Sequence, residues 1–312
     1  MKLFKWITKD TNINFLGADK LTYFISTIAI VLSIVFIGIK GFNYGIDFSG
    51  GILLEIKGET PIDLEDLRSR LSTVEVGEIN LQTIGESGDE VMIRAEADNL
   101  DEAGQHAAVE KIKKILGDDI EYRRSELVGP QVGDELKIAG AVASLIAVLA
   151  ISIYIWIRFE WQFALGALIG LFHDIIVTLG LLSVFDMDFS LTTIAAILTL
   201  AGYSVNDTVV TYDRIRENLR KYTRMPQRDL LNKSINDIFS RTLLTGFTTL
   251  MASISLFIFG GEALRSFAFT IVFGVIVGTY SSIYVSTVVL TWFDLRKTIE
   301  AGKNVNPFGN VE

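Results

Sequence analysis

The chain contains no cysteine and only two histidines among its 312 residues. No disulfide can form, and cysteine usage says nothing of the redox compartment. No nucleophile stands beside a base, no metal ligands recur at workable spacing, and no glycine-rich phosphate loop is present. An enzyme is therefore the least supported class, with no catalytic residue, metal or cofactor to name. Basic charge is also short: 28 Lys and Arg stand against 37 Asp and Glu, a net charge of −9. That balance argues against a nucleic-acid partner.

Hydrocarbon is abundant. Half of the residues are apolar, the mean hydropathy is +0.41, and the apolar residues come in blocks. A helix needs about 20 apolar residues to span a bilayer. Six blocks qualify: 21–39, 137–157, 163–185, 189–212, 241–260 and 266–290. The first is longer than the apolar stretch of a secretory signal, and GIKGFNYG after it lacks a small-residue cleavage site, so an uncleaved span is expected.

Lys and Arg set the orientation. One group is Lys2, Lys5, Lys9 and Lys20, and a second is Arg214, Arg216, Arg220, Lys221, Arg224, Arg228 and Lys233. Arg296, Lys297 and Lys303 form the third. An even number of spans separates the groups, so all share the cytoplasmic side and both termini are expected there. The opposite connections, around Asp186, Asp188 and Glu262, are acidic or short.

Most of the acidic excess lies between the first two spans, where the pattern becomes that of a soluble domain. Long domains translocate regardless of charge, so this excess leaves the topology standing. A strand is expected at IDFSGGILLEIKG, then a helix from Pro61 to Ser72 with proline in its first turn. INLQTIG and EVMIRAE read as a hairpin about ESGD. A helix from Asn99 to Leu116 and a strand in DIEYRRSEL follow. This β-α-β-β-α-β order suggests a ferredoxin-like sandwich. His106 falls on its charged second helix and reads as a solvated surface residue. The domain reads as a binding or mechanical module.

The expected fold is an α-helical membrane protein, six transmembrane helices with one ferredoxin-like α+β extracytoplasmic domain between helices 1 and 2. A cytoplasmic segment, 1–20, precedes the first helix, and the domain occupies 40–136. A cytoplasmic loop with a membrane-surface amphipathic helix occupies 213–240, and a cytoplasmic tail 291–312.

Polar residues inside the spans are the candidates for function. Asp207 lies roughly 27 Å along the fourth span at 1.5 Å per residue. Tyr203, Asp207 and Thr211 share a face at four-residue spacing. Arg241 opens the fifth span at similar depth, and Thr245, Thr248 and Ser255 continue its face. Two stripes beginning with opposite charges suggest an ion pair that forms and breaks as a proton arrives. A fixed structural charge at Asp207 and an Arg241 that snorkels to the interface are the plainer readings. His173 and Asp174 sit mid-span in the third helix, and with Asn206 they are candidates for a relay to Asp207. A buried aspartate satisfied by a neighbouring Ser or Thr is the plainer alternative. In the last span Gly274, Gly278, Ser282 and Ser286 form a ridge of small residues, read as a packing surface within the chain or against a partner.

After the first span comes NYGIDFSGG, where Gly45, Asp47, Gly50 and Gly51 mark a tight connection between membrane and sheet. Together with GYSVNDTVVTYDRIREN and SRTLLTGFTTL, this motif resembles the SecF-type members of the SecD/SecF family, in the resistance–nodulation–division superfamily. The resemblance covers nearly the whole chain. It implies a subunit of the bacterial cytoplasmic (inner) membrane that pairs with SecD beside the SecYEG channel, with YajC as a further candidate partner. Such proteins use the proton gradient to pull exported polypeptide outward late in translocation, and the positions matching Asp207 and Arg241 are those assigned to proton conduction. Two rival readings stand beside it: a non-conducting scaffold of the translocon, and a small-molecule efflux protein of the same superfamily. A carboxylate with nearby hydroxyls suits H⁺ or Na⁺ equally.

Overall fold

Backbone polar groups inside a bilayer must be satisfied within their own segment, so apolar runs of this length fold as helices. The computed structural model describes residues 11–74, 76–85, 87–96, 102–117 and 120–296. Lys2, Lys5, Lys9, Lys297, Lys303 and the helix start expected at Asn99 lie outside the described residues. In chain order the elements begin with α1 (Asp19–Lys40), β1 (Asn43–Tyr44), α2 (Ile46–Ser49), β2 (Gly51–Lys57) and α3 (Leu64–Leu71). Then come β3 (Ile79–Ile84), β4 (Glu90–Ala95), α4 (Glu102–Leu116), β5 (Glu121–Val128), α5 (Pro130–Arg158) and α6 (Trp161–Val184). β6 (Asp188–Phe189), α7 (Leu191–Lys221), α8 (Gln227–Phe259) and α9 (Gly261–Ser281) complete them. These elements form two compact units, one of them Asn43–Ala143 with Asp188–Leu191, the other the remaining chain.

The helical unit holds α1, α6, α8, α9, the second half of α5 and all of α7 but its first residue. Among the described residues, six helices are long and apolar enough to cross a membrane. In α6, α7 and α9 the most apolar stretch is 56, 50 and 61 % buried, against 17, 11 and 17 % in α1, α5 and α8. The first three therefore form the middle of the unit, and the others turn most of their apolar surface outward, as lipid-facing helices do.

The stretch expected to form a separate amphipathic helix is the opening of α8, which runs unbroken from Gln227 to Phe259. Its apolar residues Leu230, Leu231 and Ile235 are buried with Ile215 and Leu219 of α7 and with Phe15 and Leu16 ahead of α1. Packing against protein, not a lipid surface, takes up this face. Asn236 also clasps Ile13, accepting from its N–H and donating to its carbonyl, both at 2.8 Å.

The α+β unit is a four-stranded antiparallel sheet in the order β3-β4-β2-β5. Alternation along β2 sends Ile52, Leu54 and Ile56 into one core with Leu67 and Leu71 of α3 and Ile112 and Leu116 of α4. Two local expectations are corrected. Asp63 caps α3 by accepting from Glu65 N at 2.8 Å, so the helix starts at Leu64 and Pro61 lies before it. Residues 46–49 are a helical turn and not the head of a strand. Gly45 O accepts from Phe48 N and Ser49 N, both at 3.0 Å, and closes that turn.

Gly50 and Gly51, at φ +73° and +111°, then reverse the chain into β2. A Cβ on Gly51 would stand 2.6 Å from the Ala95 carbonyl oxygen of the neighbouring strand. Gly51→Ala should therefore destabilise this unit by about 1–3 kcal/mol, seen as a lower unfolding midpoint of the purified chain in detergent. Gly85→Ala, with nothing within 4 Å of its Cβ, separates backbone strain from steric clash.

Candidate functional site

The polar side chains of the helical unit collect where α6, α7 and α9 meet, with α8 against α7. Asp174 of α6 is fully buried and satisfied on both oxygens. Oδ1 meets His173 Nδ1 at 2.9 Å, while Oδ2 accepts from Ser204 of α7 and, at 2.7 Å, from Ser281 of α9. Although adjacent helical residues diverge by about 100°, the histidine ring reaches back to its neighbour's carboxylate. His173 Nε2, also buried, has no partner among the described residues.

Asp207 differs. It too is buried, but it accepts one hydrogen bond, from Thr242 Oγ1 of α8 to Oδ1 at 2.9 Å. Oδ2 has no hydrogen-bond partner among the described residues. On the neighbouring residue of α7, the Thr208 hydroxyl is bonded to Ser282 at 3.0 Å. Leaving a buried polar atom unpaired costs on the order of 1–3 kcal/mol, more for a charge. A proton on Asp207, or a donor brought in by helix movement, would relieve that cost. Among the described residues, Asp207 is the buried aspartate whose hydrogen bonding is incomplete.

Adjacent hydroxyls of α9 and its continuation reach both places: Ser281 bonds Asp174, and Ser282 bonds Thr208, the residue after Asp207. At this point α9 gives way to a π-helical stretch, Ser282–Ser286. Thr287 Oγ1 bonds Ser282 O at 2.9 Å, and the buried Tyr212 hydroxyl donates to Ser286 O at 2.9 Å. Such bulges recur at functional sites. The ridge of small residues packs inside the chain: a Cβ on Gly274 would meet Leu200 at 2.5 Å, and one on Gly278 would meet Ser204 at 3.3 Å. Its four-residue rhythm ends where the π-helical stretch begins.

Arg241 and Asn206 are both exposed, outside this buried cluster. Arg241 forms no ion pair with Asp207 among the described residues. The inward face of α8 is carried by Thr242, Gly246 and Ser253, whereas Thr245, Thr248 and Ser255 are exposed. The polar stripe read from Arg241 is thus one residue out of register. Thr242→Val should lower the unfolding midpoint by the equivalent of about 1–3 kcal/mol, while Thr245→Val, on the exposed face, should leave it nearly unchanged.

The connection motif is built within the α+β unit. Asp47 Oδ2 accepts from Leu191 N at 3.0 Å, and Gly45 N donates to Phe189 O at 3.0 Å. His106 is exposed on α4. Among the described residues no three His, Cys, Asp or Glu side chains gather as metal ligands. Thr242, Ser204 and Ser281 escape a reading of the sequence because hydroxyl residues are common in spans, and Ser282 reads there only as part of a packing ridge. Only the meeting of four helices selects them.

The family described as "Protein export membrane protein SecD/SecF, C-terminal" matches residues 108–296, and the "SecD/SecF GG Motif" matches residues 35–62. The protein translocase subunit SecF of Rickettsia rickettsii (strain Sheila Smith) is 48 % identical over 288 residues, covering 91 % of this chain and 92 % of the relative. That of Rickettsia prowazekii (strain Madrid E) is 44 % identical over 295 residues, covering 94 % of each. Among solved structures, SecDF from Thermus thermophilus, described as a translocon-associated membrane protein, superposes with a TM-score of 0.78 at 33 % identity. SecDF in a super-membrane-facing form gives 0.67 at 34 %. Both cover 95 % of this chain, which spans only 39 and 40 % of those longer chains.

Proposed function

The chain belongs to the SecD/SecF family of protein export membrane proteins, and on that premise we propose that it is the SecF-type subunit of a bacterial export machine driven by the proton motive force. It is a multi-pass helical protein of the bacterial inner membrane. Its relatives are named as translocase subunits, a transport designation and not a catalytic one. In this reading it pairs with SecD, works beside SecYEG on the exported polypeptide, and has YajC as a further candidate partner. Both termini face the cytoplasm. The α+β unit is extracytoplasmic and ferredoxin-like, a class supported by its strand order and its two helices on one face.

The observation that carries the proposal is Asp207, buried, with one oxygen held by Thr242 and the other without a donor among the described residues. Protonated, the carboxyl tolerates this site. Ionised, it draws a cation, and Arg241 is the residue beside Thr242 on the same helix. A partial rotation of α8 would exchange the hydroxyl for the guanidinium. Asp207 and Arg241 are thus partners in alternation and not a standing pair. A proton crossing 100 mV releases about 2.3 kcal/mol, enough to shift such an equilibrium nearly fiftyfold at about 1.4 kcal/mol per decade. His173 and Asp174, joined through Ser204 and Ser281 to the α7–α9 contact, are the proposed relay; exposed Asn206 has no part in that buried line.

The test is proton flux in vesicles reconstituted with this chain and its SecD partner. Flux above that of empty vesicles, reduced to their level by Asp207→Asn, is the expected result. Equal flux with both chains would favour the scaffold reading.

A further inference from the structure

The four residues Asp188–Leu191, the end of the α6–α7 connection and the first residue of α7, group with the α+β unit. β6 pairs in parallel with β1, placing Asn43 opposite Asp188 and Tyr44 opposite Phe189. Asn43 Nδ2 donates to Asp188 Oδ1 at 3.0 Å. Arg94, from within β4, places one guanidinium nitrogen 3.1 Å from both oxygens of Asp188. The Gly45 amide and the Asp47 carboxylate complete the attachment through Phe189 O and Leu191 N. A two-residue strand pair is weak alone, whereas charge-assisted bonds are roughly twice as strong as neutral ones.

Leu191 is the first residue of α7, the helix that carries Asp207. Its N–H is one of the amides a helix start leaves unpaired, and Asp47 satisfies it from 144 positions away in the chain. The carboxylate also faces the positive end of the helix dipole. Asp47 is itself held by the closed turn Ile46–Ser49, which leads directly into β2, and β2 pairs with β4 so that Leu53 lies opposite Arg94. The motif aspartate and the arginine therefore grip one loop from a single rigid sheet.

We propose that Asp47, with Arg94 and Asp188, is a permanent clamp that fixes the Leu191 end of α7 to the α+β unit, so that displacement of α7 is delivered to the sheet and not absorbed by a slack loop. Asp47 is a positioning residue, and the proposal rests on the reading of α7 as the proton-responsive helix. Loss of the clamp leaves the proton site intact and disconnects its output.

The absence of native cysteine permits a direct test. A Cβ at Gly45 would lie 3.2 Å from Ser190 Cβ, slightly inside the roughly 3.5–4.5 Å found in disulfides, so a Gly45→Cys, Ser190→Cys pair needs only a small adjustment to bond. In membranes containing the full chain and its partner, Asp47→Ala should slow oxidation of this pair severalfold. It should also reduce gradient-driven export about fivefold, the population change that corresponds to losing a cap of about 1 kcal/mol. Complete oxidation of the pair should restore export to Asp47→Ala, and a reducing agent should remove the rescue. The clamp is overturned if the pair oxidises equally fast with and without Asp47. It is overturned equally if full cross-linking fails to rescue Asp47→Ala, or arrests export in a chain that retains Asp47. Normal export by Asp207→Asn measured in parallel would sink the proton reading instead, leaving the cross-linking rates to judge the clamp.

Discussion

Asp207→Asn should reduce export in energised membrane vesicles to the level seen with the proton gradient collapsed. The amide is close to isosteric and can still accept from Thr242, so the folded chain should accumulate normally. What it loses is the ability to gain and release a proton, and with it the roughly 2.3 kcal/mol available per charge at 100 mV. The ratio of export with and without a gradient is the proper readout, because ATP-driven movement is common to both. A ratio equal to that of the parent chain would remove Asp207 from energy coupling. Asp207→Glu, which keeps the titrating group but displaces it from Thr242, should retain part of the ratio.

The second large effect concerns the crossing of α1 and α6. A Cβ on Gly180 would lie 2.2 Å from Ser33 Oγ and 2.6 Å from Ser33 Cα. The side chain could rotate away, but the backbone cannot, so Gly180→Val must drive the helices apart. Overpacking of this kind costs about 1–3 kcal/mol, and occasionally more. The expected result is a sharply lower unfolding midpoint in detergent and less folded chain in the membrane. Gly38→Val, with nothing within 4 Å of its Cβ, should do neither. Equal midpoints for the two variants would mean that α1 does not make this close approach.

The sequence carries some of these features openly and hides others for physical reasons. Bilayer thickness imposes a length on apolar runs, so six helices were legible, as was Asp207 as a carboxylate among apolar residues. The order of strands and helices in the α+β unit was legible from period-two and helical patterns. The continuity of α8 was not. An amphipathic stretch looks the same whether its apolar face meets lipid or protein. The residues that cover Leu230, Leu231 and Ile235, among them Ile215 and Phe15, lie in other elements of the chain. Periodicity also fixes a helix face only to within about 100°, which is the whole difference between Arg241 and Thr242. The contrast between Asp174, with three partners, and Asp207, with one, depends on hydroxyls from separate helices and exists only in three dimensions. Asp47 read as part of a tight turn; that it caps α7 follows from a contact no local pattern records.

The central claim is that Asp207 changes protonation as the protein works. Infrared difference spectroscopy of the chain with its partner subunit, in lipid, measures this directly. A protonated-carboxyl band that appears and disappears as bulk acidity is cycled, and is missing from Asp207→Asn, is the predicted result. A carboxylate at Asp207 that stays ionised throughout would contradict the account.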